Sequence, residues 1–255
     1  MSRIGIVGLC LAAALALAAM LAPAAQAGEY GRCVTAPKEG RKYTGRYTDK
    51  VCTMPATEAE REAGKKNRYE WAPGPGPKPG YSSKSTTVVL EGGAGDITCR
   101  SSTDVGRITG PKTGEDQLRF SDCTTPTGSC LPGPTETKEL ETILVDHGEL
   151  GLSGREPAAG EAWIEYVSKS GPAGVLAEFT CQGILFELTG SISGVVGGNL
   201  DVAAKKGTST FSTHGGEQDL LSTFFNPFTS RLETGPAVIV AVNESKYEEK
   251  VEIRA

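Results

Sequence analysis

The sequence predicts an all-β protein, an antiparallel β-sandwich as first choice and a closed barrel as second. Three observations carry this expectation. The chain has 33 glycines against 7 phenylalanines and 2 tryptophans, a turn-rich and lightly aromatic composition. From about Ser83 onward, short apolar or alternating runs recur between Gly, Pro, Asn and Asp, the spacing of hairpin-connected strands. Six cysteines remain once an export leader is set aside, an even number suited to cross-linking.

The leader comes first. Arg3 supplies a positive start, Ile4 to Leu21 an apolar run, and Ala25-Gln26-Ala27 the small-x-small pattern that signal peptidase reads. Residues 1–27 are therefore expected to be a signal peptide, with Gly28 beginning the mature chain and Cys10 leaving with the leader. Leu9 before Cys10 argues against a lipid anchor. The expected destination is secreted or extracellular, with no membrane span in the mature chain. All 31 acidic residues and 25 of the 26 basic ones follow residue 27, which leaves the mature chain at −6 with no basic block. Nucleic-acid binding is excluded on that ground, because phosphate contact needs clustered cations.

Residues 28–71 are expected to form a small disulfide-stapled N-terminal subregion with one helix. Thr57 followed by Glu60 makes a capping box ahead of Ala59 to Ala63. Residues 72–82, with the run Pro73-Gly74-Pro75-Gly76-Pro77-Lys78-Pro79-Gly80, form a connector, since alternating proline and glycine suit neither helix nor central strand.

Residues 83–255 form the antiparallel β domain. Its expected strands are Thr86 to Glu91, Ile97 to Ser101, Gly106 to Thr109, Leu118 to Asp122, Glu139 to Leu150, Glu161 to Ser168, Val175 to Cys181 and Ile184 to Ile192. Leu200 to Ala203, Thr208 to Thr213, Val238 to Val242 and Lys250 to Ile253 complete the series. Gln218 to Phe225 reads as a short helix or an apolar loop, because Leu220, Leu221, Phe224 and Phe225 fall at helical spacing and Asn226-Pro227 stops the run.

Three disulfides are expected in an oxidising compartment. Cys33 and Cys52 share the N-terminal segment, and Cys123 and Cys130 flank a turn-rich stretch, so both are read as local pairs. Cys99 and Cys181 then remain as a long-range bridge between strands. Zinc is disfavoured: there is no C-x-x-C and the intervals are irregular. No metal and no cofactor are expected.

Several patches are similar to a set of secreted proteins from soil actinobacteria: Gly31-Arg32-Cys33-Val34, Tyr47-Thr48-Asp49 to Cys52, Tyr69-Glu70-Trp71, Ala177-Glu178-Phe179-Thr180-Cys181, and Glu248-Glu249-Lys250-Val251-Glu252-Ile253. That resemblance implies export and the N-terminal disulfide, and it brings no catalytic motif.

Candidate sites are few. His147 and His214 are the only histidines, and although Ser153 and Ser193 each have a glycine beside them, no Gly-x-Ser-x-Gly elbow supports a triad. Asp146, His147 and Glu149 cluster at a turn, but alternation lets only the latter two share a metal. The candidate ligand contact is Glu161, Trp163 and Glu165, which period-two alternation puts on one face, with Ala162, Ile164 and Tyr166 on the other. An indole between carboxylates can stack on a sugar and hold its hydroxyls. The two glutamates lie about 13 Å apart along a strand, too far for an acid–base pair by themselves. Asn243-Glu244-Ser245 is a glycosylation sequon and Lys205-Lys206-Gly207 a charged turn. The expected function is that of a non-catalytic extracellular or cell-surface β protein contacting carbohydrate or a cell-envelope component. The alternative is a secreted hydrolase of polysaccharide or peptide using Glu161, Glu165 and Asp146, and a purely structural envelope component is a third reading.

Overall fold

The computed structural model describes residues 28–92, 95–132, 138–146, 148–149, 151–152, 155–212 and 218–254; the expected leader, His147, Ser153 and His214 lie outside them. In chain order the strands are β1 Glu29–Thr35, β2 Lys38–Glu39, β3 Lys42–Tyr43, β4 Tyr69–Pro73, β5 Gly80–Ser85, β6 Val88–Gly92, β7 Ile97–Ile108, β8 Thr113–Thr125, β9 Gly128–Pro132, β10 Lys138–Asp146, β11 Ala162–Ser168, β12 Val175–Cys181, β13 Ile184–Gly197, β14 Ala204–Phe211, β15 Leu220–Asn226 and β16 Arg231–Arg254. One helix, α1 Glu58–Ala63, lies between β3 and β4. The Thr57 hydroxyl accepts from the Glu60 N–H and the Glu60 carboxylate accepts from the Thr57 N–H, so the capping box forms as the sequence implied.

Fourteen strands form one antiparallel sheet, folded over a single apolar core. The all-β sandwich expectation holds. A simple closed barrel, with one neighbour on each side of every strand, is not what forms, because the long strands change partners along their length. β13 pairs β12 and then β11 on one edge, β15 and then β14 on the other. β16 spans 24 residues and pairs β15 and β14 on one edge, β6, β5 and β1 on the other. β8 pairs β7 along one edge, and β10 then β9 along the other. Alternation decides which side chains enter the core. Ile97 and Cys99 do so from β7, and Ile108 after the alternation shifts by one residue past Arg100; Phe186, Leu188, Ile192 and Val196 do so from β13, and Ala237, Ile239 and Ala241 from β16. Each fully buried Leu or Ile contributes roughly 2 kcal/mol of transfer free energy.

Four local expectations change. Gln218 to Phe225 is not helical: Leu220 to Phe224 pair with β13 and the whole of β15 with β16, so a two-sided ladder overrides the helical spacing. Val238 to Val242 and Lys250 to Ile253 are parts of one strand, β16, as Ile97 to Ser101 and Gly106 to Thr109 are of β7. Leu200 to Ala203 forms only a single parallel bridge, Leu200 to Ile253. The connector is shorter than 72–82, since β4 runs through Pro73 and β5 begins at Gly80.

The disulfides are Cys33–Cys52, Cys99–Cys123 and Cys130–Cys181; the first matches the sequence reading, the other two correct it. The reason lies in the ladder. Cys99, Cys123, Cys130 and Cys181 stand directly opposite one another in a row across β7, β8, β9 and β12, all buried on the core side. Opposed residues in antiparallel strands alternate between close, non-hydrogen-bonded pairs and wider, hydrogen-bonded ones from one edge of a strand to the other. The bonded pairs are the close ones, with Cα atoms 3.8 and 4.1 Å apart, which leaves Cys123 and Cys130 opposed across the wider rung between them.

The N-terminal subregion is joined to the β domain. β1 pairs both β4 and the end of β16. There the Arg254 guanidinium lies 3.7 Å from the Trp71 ring centroid, bonds the Glu252 carboxylate at 2.8 Å and donates to the Cys52 carbonyl at 2.9 Å.

Candidate ligand site inside the sheet

The alternation that builds the core also turns polar side chains inward. From β5, Tyr81, Ser83 and Ser85 point in while Ser82 and Lys84 point out. β7 contributes Ser102 and Asp104, β8 contributes Asp116, and β16 contributes Asn243 and Ser245, all buried. The Tyr81 hydroxyl donates to Asp116 Oδ2 at 2.5 Å. Ser83 Oγ and Ser245 Oγ are 2.9 Å apart, the Ser85 hydroxyl donates to Asn243 Oδ1, and Asn243 Nδ2 donates to Asp104 Oδ2 at 3.2 Å. Gly106 makes room for this network, because a Cβ there would stand 2.1 Å from Asp116 Oδ1 and 2.7 Å from Tyr81 Cζ.

Two carboxylates thus sit inside the sheet, Asp104 at 2% and Asp116 at 3% exposure, and Oδ1 of each has no hydrogen-bond partner. Burial pushes the Asp116 carboxyl up to about 7, with the neighbouring Asp104 charge adding to the shift and the Tyr81 hydroxyl opposing it. Burial also raises Asp104, against the pull of Ser83. Tyr81 and Tyr166 are held well above the usual phenol range, chiefly by burial and then by these aspartates. Asp104 lines a cavity of about 30 Å³ whose remaining lining includes Asn243, Ser102 and Tyr166 beside apolar walls from Val88, Ile192, Phe211 and Ile239. That volume exceeds the 10 to 15 Å³ one water needs.

The sequence-read contact residues are placed differently from expectation. Trp163 is 4% exposed and Glu165 fully buried, so no indole is open to stack on a sugar, and the Trp163-centred carbohydrate reading fails. Alternation put the two on one face, and Gly151 and Leu152 come up against Glu165 there. The Leu152 N–H donates to Glu165 Oε2 at 2.8 Å and the Ser193 hydroxyl to Oε1 at 3.0 Å. Gly151 permits the approach, since a Cβ there would stand 2.4 Å from Glu165 Oε1. Glu161 is half-buried just ahead of β11. Glu149 pairs with Lys112, and Asp146 ends β10 opposite Ala162. Among the described residues no three His, Cys, Asp or Glu side chains converge as a metal site.

Sequence reading singles out neither Asp104 nor Asp116 and takes Asn243 only as the start of a sequon, whereas its side chain is buried in this network. The only signal of the two aspartates is period-two placement inside strands: Ser102 and Asp104 flank exposed Thr103, and Asp116 stands between Glu115 and Gln117. Polar residues at inward positions look like turn residues when hydrophobicity alone marks a strand. The chain matches no family model, no curated protein and no solved structure, so the site is read from its own residues.

Proposed function

We propose that this chain is a secreted, non-catalytic binding protein of the extracellular space or cell surface, with its ligand site in the largely apolar cavity beside Asp104 within the disulfide-stapled sheet. The observation that carries the reading is that cavity, lined by a carboxylate with an unpartnered oxygen inside a scaffold cross-linked by three disulfides. Disulfides persist where thiols are oxidised, and no helix among the described residues is long and apolar enough to cross a membrane. The leader expected over residues 1–27 and the resemblance to secreted actinobacterial proteins support the same destination. Glu165, the carboxylate on which the hydrolase alternative leaned, has both oxygens occupied by Leu152 and Ser193, which supports binding over turnover. A cell-envelope component remains the proposed partner class.

Expression of the full chain in an actinobacterial host, followed by fractionation, tests this. The expected result is protein in the medium or wall fraction, beginning at Gly28, without free thiols, and inert toward chromogenic glycosides and casein. Cytoplasmic protein with reduced cysteines, or turnover of any of these substrates, overturns it.

A further inference from the structure

No long run of the sequence is basic, yet the fold assembles one surface that is. Residues 28–71 carry 10 Lys and Arg against 7 Asp and Glu, whereas residues 72–255 carry 15 against 24. The cations are concentrated further still. Two short segments, 38–43 and 64–68, hold Lys38, Arg41, Lys42, Lys65, Lys66 and Arg68 with Glu39 as their one carboxylate, and all six cations are exposed.

The backbone brings the two segments together. The first is the β2–β3 hairpin, in the register Lys38 to Tyr43 and Glu39 to Lys42, and the second begins at Gly64, the C-cap of α1. The Tyr43 N–H donates to the Gly64 carbonyl at 2.8 Å. The buried Asn67 side chain donates to the carbonyls of Tyr43 and Gly45 at 2.8 and 3.0 Å, and Lys42 Nζ donates to the Glu62 carbonyl at 2.7 Å. Lys38 Nζ and the Arg68 guanidinium lie 4.5 and 5.3 Å from the Tyr43 ring centroid, so one ring holds two like charges close to each other. Lys66 pairs with Glu60 at 3.1 Å. Lys38, Arg41, Lys65 and Arg68 make no ion pair among the described residues.

Exposed charges of one sign concentrate the opposite sign around them, and ammonium and guanidinium groups bond acidic oxygens directly. The surface therefore suits a polyanion. Nucleic acid fits it poorly: a single strand stacks its bases on open aromatic rings, and the Tyr43 ring is taken up by Lys38 and Arg68. A duplex needs cations spread along its length, and the acidic excess over residues 72–255 opposes it. A thin, flexible chain needs only the corner where the two segments meet.

We propose that this cationic corner docks an anionic glycan of the cell envelope, its acidic groups taken by Lys38, Arg41, Lys65 and Arg68. This rests on the envelope-partner reading and names the partner's chemistry. None of the six cations lines the cavity beside Asp104, so the corner is a second site.

The test is calorimetric titration of the folded mature chain, disulfides intact, with polygalacturonate, neutral dextran and single-stranded DNA, at low and at high salt. The expected result is saturable binding of polygalacturonate that weakens as salt rises, no binding of dextran, and weaker binding of the DNA. Arg41→Glu/Lys65→Glu weakens polygalacturonate by about tenfold or more, since each reversal removes an attraction and adds a repulsion, while the circular dichroism spectrum stays unchanged. Lys84→Glu/Arg231→Glu, the same charge change placed on exposed positions of β5 and β16, leaves the affinity in place. Absence of polygalacturonate binding, equal binding of dextran, tighter binding of DNA, or an equal loss in both double variants overturns the proposal. Export, thiol state and turnover are read by the fractionation above, so failure here removes the glycan without touching the secretion reading.

Discussion

Arg254 gathers a salt bridge, a cation–π contact and a backbone hydrogen bond into one nearly buried guanidinium, joining Glu252, Trp71 and the Cys52 carbonyl. Removing one partner of a buried pair leaves the other uncompensated, typically at 3 to 5 kcal/mol. Arg254→Met is expected to destabilise by about 3 kcal/mol in urea unfolding, and a change under about 1 kcal/mol would show that the contact is incidental. Asp116 gives a second outcome, in pH dependence. Burial pushes its carboxyl up from 3.8 to about 7, so between those values the folded state keeps a proton that the unfolded state has lost. Stability therefore falls as pH rises from about 4 to about 7 and stays low above, by a few kcal/mol at most. Asp116→Asn is expected to flatten that fall; a urea midpoint with equal pH dependence in both proteins counts against the assignment. At Trp163 and Glu165, by contrast, the sequence revealed the shared face but not its cover. Alternation is a property of the strand, whereas the cover over Glu165 comes from Gly151 and Leu152, which carry no periodic signal.

Among the elements, the row of four cysteines ties β7 to β8 and β9 to β12. The Cys99–Cys123 bridge closes a separation of 24 residues and Cys130–Cys181 one of 51. In the chain-entropy account these correspond to about 3.5 and about 4 kcal/mol. The double substitutions Cys99→Ala/Cys123→Ala and Cys130→Ala/Cys181→Ala are each expected to lower the thermal midpoint by several degrees, and an unchanged midpoint in calorimetry would deny the bridges a stabilising role. Sequence proximity favoured Cys123 with Cys130, and these are indeed opposed; what it lacked was the edge of β8 on which the close rung falls. β12 and the capped helix α1 were legible because each carries a local signal, alternation in one and the Thr57/Glu60 box in the other. β15 was not, since Leu220, Leu221, Phe224 and Phe225 satisfy both periods and only pairing with β13 and β16 decides between them.

Across the molecule, the N-terminal segment, the β domain and the C-terminal strand make one connected sheet, with β16 as the common partner of β1, β5, β6, β14 and β15. The all-β class was legible because composition and alternation record it directly. The course of the sheet was not, since it depends on which long strand changes partner where, a non-local choice that leaves no periodic trace. The interior site follows from that course: Asp104, Asp116 and Asn243 come from three strands and meet only when β7 and β8 lie side by side and Asn243 of β16 reaches Asp104. Its placement therefore depends on the register that the cysteine row records. Peptide mapping of the folded, non-reduced protein by mass spectrometry tests that register directly. The account expects Cys33 linked to Cys52, Cys99 to Cys123 and Cys130 to Cys181, with no free thiol; a Cys99 to Cys181 link, or unpaired cysteines among the six, would contradict it.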